Sequence, residues 1–126
     1  MTIIEVEKDE DNQLPIPSEW RQLFVDIVNS FVIKDYLISS GIDGVSPVSK
    51  ETAVQIEEYI TDYGENLIAL PSETWESSIC LYMGDSWDIL IDLWTESEGR
   101  SDLALSATVK ETESGYIVHI GMVYVP

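Results

Sequence analysis

The sequence predicts an α+β fold in which two N-terminal helices pack on one face of a four-stranded antiparallel sheet. Three observations carry that expectation. Apolar residues recur at i, i+3, i+4 and i+7 spacing from Trp20 to Phe31, and a narrower stripe follows from Ala53; such spacing marks one face of a helix. Beyond Pro71 the periodicity switches to alternation in runs rich in branched and aromatic residues. Short Gly-bearing segments separate those runs, which signals hairpins rather than crossover helices.

Residues 1–17 read as an extended acidic N-terminal segment. It has a short apolar start (Ile3, Ile4, Val6), an acidic run, and then Leu14-Pro15-Ile16-Pro17. The paired prolines keep 14–17 extended and stop any helix before Ser18. Ser18 is the expected N-cap of the first helix, with Glu19 in its first turn. Trp20, Leu23, Phe24, Ile27, Val28 and Phe31 form its apolar face, and it should reach about Ile38, ahead of the breakers Gly41, Gly44 and Pro47. The second helix is expected after Ser49, on a stripe of Ala53, Ile56, Ile60, Tyr63 and Leu67. Glu51, Glu57, Glu58 and Asp62 lie mostly off that stripe, Gly64 weakens its end, and Pro71 closes the helical half, 18–67.

Residues 75–126 should form the sheet, with strands at 77–83, 86–95, 101–111 and 115–125. In the second strand Trp87, Ile89, Ile91 and Leu93 face one way, while Asp88, Leu90, Asp92 and Trp94 face the other. Leu103, Leu105, Ala107 and Val109 share a face of the third, and Tyr116, Val118, Ile120, Met122 and Tyr124 one face of the fourth. One apolar face of an antiparallel meander is enough to receive two helices. Residues 1–126 are expected to form one domain, without internal repeats.

Charge is the strongest functional signal. The chain carries 24 Asp and Glu against 6 Lys and Arg, a net −18 over 126 residues. A fold that keeps such self-repulsion is usually rewarded by an electropositive partner or by solubility. Apolar residues still make up 44 %, so a core is within reach and disorder is not expected. Six basic residues cannot supply the footprint that nucleic acid demands, and an anionic membrane surface is disfavoured for the same reason. The N-terminus lacks the basic and long apolar regions of a secretory signal, and no stretch approaches the ~18 apolar residues of a membrane span. A cytoplasmic protein is expected.

No motif assigns catalysis, and neither an enzymatic activity nor a cofactor is expected. The acids between Asp85 and Asp102 invite a metal-site reading, yet Asp88 and Asp92 would stand ~13 Å apart along a strand, too far to share an ion. Arg100, flanked by carboxylates, suggests a structural Arg–carboxylate fork. His119 is the single histidine, so a triad or a histidine-based metal site has no partners. Cys80 reads as a small apolar strand residue, since it lacks the basic neighbours that activate a thiol. Trp75, Trp87, Trp94, Tyr82 and Tyr124 suit packing of core and sheet faces, with an interface anchor as the alternative.

The segment WDILIDLWTESEGRSDLALSATV, followed by the terminal GYIVHIGMVYVP, resembles a family of small bacterial α+β domains of unknown function. Their shared features are a Trp-bearing strand, an acidic turn that runs into Gly99-Arg100-Ser101-Asp102-Leu103, and a short final strand. The resemblance implies a fold and no catalytic residues. In composition the chain is also similar to the acidic immunity proteins of bacterial toxin systems, including contact-dependent growth inhibition.

The leading functional expectation is therefore an immunity protein that neutralises a basic toxin domain, such as a nuclease, by filling its positive cleft. The alternative is a non-catalytic bacterial adaptor or regulatory domain. Asp85, Asp88, Asp92, Trp94, Glu96 and Glu98 are the expected partner-binding residues, with Glu57, Glu58 and Asp62 of the second helix as the rival surface. Opposite fields would also steer the encounter towards ~10⁸–10⁹ M⁻¹s⁻¹ at low salt.

Overall fold

The computed structural model describes residues 6–126; Ile3 and Ile4 of the expected apolar start, with the rest of residues 1–5, lie outside the described residues. The chain forms α1 (Ser18–Val32), α2 (Lys50–Tyr63), one 3₁₀ helix (Ser72–Glu76) and four strands. The strands are β1 (Ile79–Tyr82), β2 (Ser86–Thr95), β3 (Gly99–Thr112) and β4 (Gly115–Tyr124). They pair antiparallel in the order β1-β2-β3-β4. The α+β class and the meander follow the expectation.

Helix boundaries depart from it in three places. Ser18 is the first helical residue rather than the cap; Pro17 holds the cap position, and its carbonyl accepts from the Trp20 amide at 3.0 Å. α1 stops at Val32, short of Ile38, because local side chains offer the backbone a different set of partners. Ser30 Oγ donates to the Asp35 carbonyl at 2.6 Å, and the Asp35 carboxylate accepts from the Ser39 amide and hydroxyl. Lys34 and Ile38 take left-handed φ values of 65° and 51° in that turn. α2 begins as expected, with Ser49 Oγ accepting from the Thr52 amide at 3.1 Å. It ends at Gly64, left-handed at φ 85°, a conformation glycine adopts without steric cost. Leu67 therefore leaves the helix and bridges Thr95 at the end of β2.

The alternation of β2 and β3 produces the core. Trp87, Ile89, Ile91 and Leu93 are buried with Leu103, Leu105, Ala107 and Val109. α1 adds Trp20, Phe24, Ile27, Val28 and Phe31, and α2 adds Ala53, Ile56 and Ile60. Trp87 is an aromatic hub: its ring meets Trp20 at 5.5 Å edge-on, Tyr82 at 4.9 Å and Tyr116 at 5.6 Å. Its indole N–H donates to the Glu7 carbonyl at 3.1 Å, which lets a large polar-tipped ring sit inside the core.

β4 breaks the expected alternation. Ala107 pairs with Ile120 but Ser106 pairs with Met122, so Gly121 is an extra residue in the strand. Residues beyond it change sides. Val123 is fully buried, Met122 is 42 % exposed and Tyr124 is half-buried. Met122 and Tyr124 thus do not share the face of Tyr116, Val118 and Ile120.

Both outer edges of the sheet carry partners. Leu14 and Cys80 exchange two backbone hydrogen bonds of 2.8 Å on the β1 side. On the β4 side, Val118 donates to the Gly44 carbonyl and accepts from the Ser46 amide, both at 2.8 Å. Farther along, Gln55 Nε2 donates to the Val123 carbonyl at 2.8 Å, its Oε1 accepts from the Val123 amide at 3.2 Å, and Tyr59 accepts from the Val125 amide. Satisfied edges remove a template for strand addition.

Candidate functional site

The expected partner-binding residues follow β2 from end to end. Asp85 lies in the β1–β2 turn, while Glu96 and Glu98 lie in the β2–β3 turn. At ~3.3 Å per residue, Asp85 and Glu96 are ~35 Å apart. They do not converge on one compact pocket.

Their local environments also differ. Asp85 and Asp88 are exposed, and Asp88 projects from the face opposite Trp87, beside Leu81 and Thr108. Asp92 is half-buried and works on the fold: its carboxylate accepts from Ser77 Oγ, its carbonyl from Thr74 Oγ1 at 2.7 Å, and its amide donates to Ser78 Oγ at 3.1 Å. These bonds fasten the 3₁₀ helix to the part of β2 that extends past β1. Trp94 is half-buried, and its Nε1 is buried without a hydrogen-bond partner among the described residues. Its ring lies against Gly99, where an added Cβ would sit 3.8 Å from it.

The tertiary fold brings the C-terminal end of α2 against the β2–β3 turn, while Glu57 and Glu58 of the rival surface take no part in these contacts. The Tyr63 hydroxyl, at the end of α2, donates to Glu98 Oε2 at 3.1 Å and accepts from the Asp102 amide at 3.2 Å. Ser97 Oγ donates to Glu65 Oε2 at 2.6 Å, and the Glu96 amide donates to the Asn66 carbonyl at 2.9 Å. The β2–β3 turn and the end of α2 therefore form one acidic surface bearing Asp62, Glu65, Glu96, Glu98 and Asp102. Tyr63 and Glu65 were not singled out by the sequence. Tyr63 reads as a core-stripe residue, and its contact lies 35 positions away.

Arg100 does not form the expected fork. It is exposed, and among the described residues the one ion pair is Lys8–Glu111 at 3.2 Å. The reason is competition: the Glu98 carboxylate is already held by Tyr63 and by Thr95 Oγ1 at 3.0 Å. The Lys8–Glu111 pair is itself about half exposed, so solvent screens most of its attraction.

Burial pushes the Cys80 thiol up to about 11, so it stays protonated and unreactive near neutral pH. His119 is half-buried opposite Thr108. No group of three or more His, Cys, Asp or Glu side chains is arranged to hold a metal ion among the described residues. No described helix is long and apolar enough to cross a membrane.

Residues 28–126 match a family described as a domain of unknown function, DUF7668. The chain belongs to that family. The match begins within α1 and takes in α2 and the whole sheet of the DUF7668 fold, so it extends well beyond the C-terminal segments that first suggested such a family. No curated protein and no solved structure matches the chain.

Proposed function

We propose that this DUF7668 protein is a non-catalytic, cytoplasmic bacterial immunity protein that binds and blocks a basic toxin domain, a nuclease in particular. The observation that carries the reading is the lack of internal neutralisation. The net charge is −18, and a single carboxylate among the described residues, Glu111, is ion-paired. An outward negative field of this kind is complementary to the positive cleft a nuclease presents to phosphate. The acidic surface at the end of α2 and the β2–β3 turn adds a local group of carboxylates to that field. In this reading both helices share the Trp87 face of the sheet, and the opposite face stays open.

The reading expects a toxin gene with a basic domain directly upstream, and the test is association with that gene's product, measured by stopped flow from low to high salt. The expected result is a tight complex whose association rate falls as the Debye length shrinks to ~8 Å at physiological ionic strength. An acidic partner, or a rate indifferent to salt, would sink the proposal.

A further inference from the structure

The sheet has a second apolar surface that the core does not use. Register places Ile79, Leu90, Ser106 and Met122 in one row across all four strands, on the side opposite Trp87. Leu81 and Ile117 belong to the same side, as does Tyr124 beyond the Gly121 bulge. Apart from Ala104, which is buried beside Asp92 and Tyr124, these apolar side chains are half-buried or exposed, and none belongs to the hydrophobic core or packs against it; the row Leu81-Asp88-Thr108-His119 adds polar groups to the same side. The bulge enlarges this surface, since it turns Met122 and Tyr124 onto it.

We propose that this open face is the docking surface for the basic partner, with an apolar centre around Leu90 and Met122 and acidic residues at its two ends. The proposal rests on the immunity reading above and changes its emphasis: the carboxylates steer, and the apolar rows hold. Charge complementarity selects the occupant. Asp88 and Asp92 stand on this face with Lys110 and Arg100, while Asp85 and Glu113 in the turns at one end of the strands and Glu96 and Glu98 in the turn at the other leave the whole surface net negative. A second copy, also carrying −18, would bring like-charged ends together, whereas a basic domain meets them with opposite sign. Strand addition is not an alternative route, because both edges already carry partners. The area is adequate: roughly 20 Å by 25 Å from strand spacing and rise, so that covering it removes about 1,000 Å² in total, the lower end of a specific interface. An apolar centre with a charged rim is the usual anatomy of such contacts.

The experiment compares wild type with Leu90→Thr, Ile117→Thr and Met122→Gln, which keep strand propensity, and with Ile33→Gln, an exposed apolar residue just past α1, as control. The probe is the product of the upstream gene that the immunity reading expects, and unchanged circular dichroism and melting confirm each variant's fold; an upstream product that is not basic would overturn both readings. The three face variants should each raise the dissociation rate about tenfold or more, with the salt dependence of association retained; the control should bind as wild type. Wild-type kinetics from all three face variants would overturn the docking face and leave the immunity reading standing. Failure of the wild type to bind would overturn both. A wild-type dimer that Leu90→Thr dissociates would show that a second copy is the occupant, and would also overturn the proposal.

Discussion

A Cβ placed on Gly121 would stand 2.9 Å from the carbonyl oxygen of Ser106 on the neighbouring strand. The φ of Gly121 does not demand glycine; the close approach of β3 does. That approach is what allows an extra residue in β4, and the bulge in turn sends Val123 into the core and Met122 out of it. Gly121→Ala should therefore cost about 1–3 kcal/mol, since backbone rather than a flexible side chain must yield. Urea denaturation would show it as a lower midpoint with an unchanged slope. Stability within error of wild type would mean that the bulge tolerates a methyl group.

Gln55 should matter more than a half-buried helix residue usually does. Its amide satisfies both the N–H and the C=O of Val123 at the β4 edge. Gln55→Ala leaves both without that partner and should destabilise by about 1–3 kcal/mol. Gln55→Glu keeps the length but places a carboxylate against the Val123 carbonyl. Its loss should exceed that of a control acid substitution at exposed Val54, and should lessen at pH low enough to protonate the new carboxyl group.

Asp88 and Asp92 are equivalent in the strand pattern but not in the fold. Asp92→Ala should cost about 1–2 kcal/mol, because Ser77, just past the 3₁₀ helix, loses its acceptor while the backbone bonds of Asp92 to Thr74 and Ser78 remain. Asp88→Asn should stay within about 0.5 kcal/mol, as surface changes do. Thermal melts of the two variants check the difference. Any effect of Asp88→Asn on partner binding can then be read as charge rather than folding.

Cys80 predicts a specific alkaline dependence. Its thiol has an ordinary value of 9.0 and is pushed up to about 11 by burial. The folded chain thus holds the proton more tightly than the unfolded chain, and its contribution is intact below about pH 9. Stability should then fall as pH rises from about 9 towards 11, because the unfolded chain ionises first. Comparing wild type with Cys80→Ala across that interval isolates the thiol from other alkaline groups. Identical slopes for the two proteins would show that Cys80 ionises as readily folded as unfolded.

Much of the fold is legible in the residues because its signals are local. Alternation in β2 and β3 specifies a buried face directly, since one register satisfies it and a one-residue slip exposes every core residue. The Ser49 cap and the Gly64 terminator of α2 are equally local, as are the Gly-bearing hairpin connections. α1 ends earlier than its spacing suggests, because apolar Val32 and Ile33 extend the pattern while Ser30 and Asp35 redirect the backbone, a competition that spacing does not register.

The chain by itself determined the α+β class, the order of its elements, the Trp87 core face and the sign of its field, because composition and short-range periodicity encode them. Tertiary structure decided the rest. It tied Asp92 to the 3₁₀ helix, gave Glu98 to Tyr63 instead of Arg100, and merged the end of α2 with the β2–β3 turn into one acidic surface. It also moved Met122 and Tyr124 to the side of the sheet opposite Trp87. Each of these outcomes depends on which distant groups meet, and a carboxylate or hydroxyl binds whichever partner the packing of the core brings within reach.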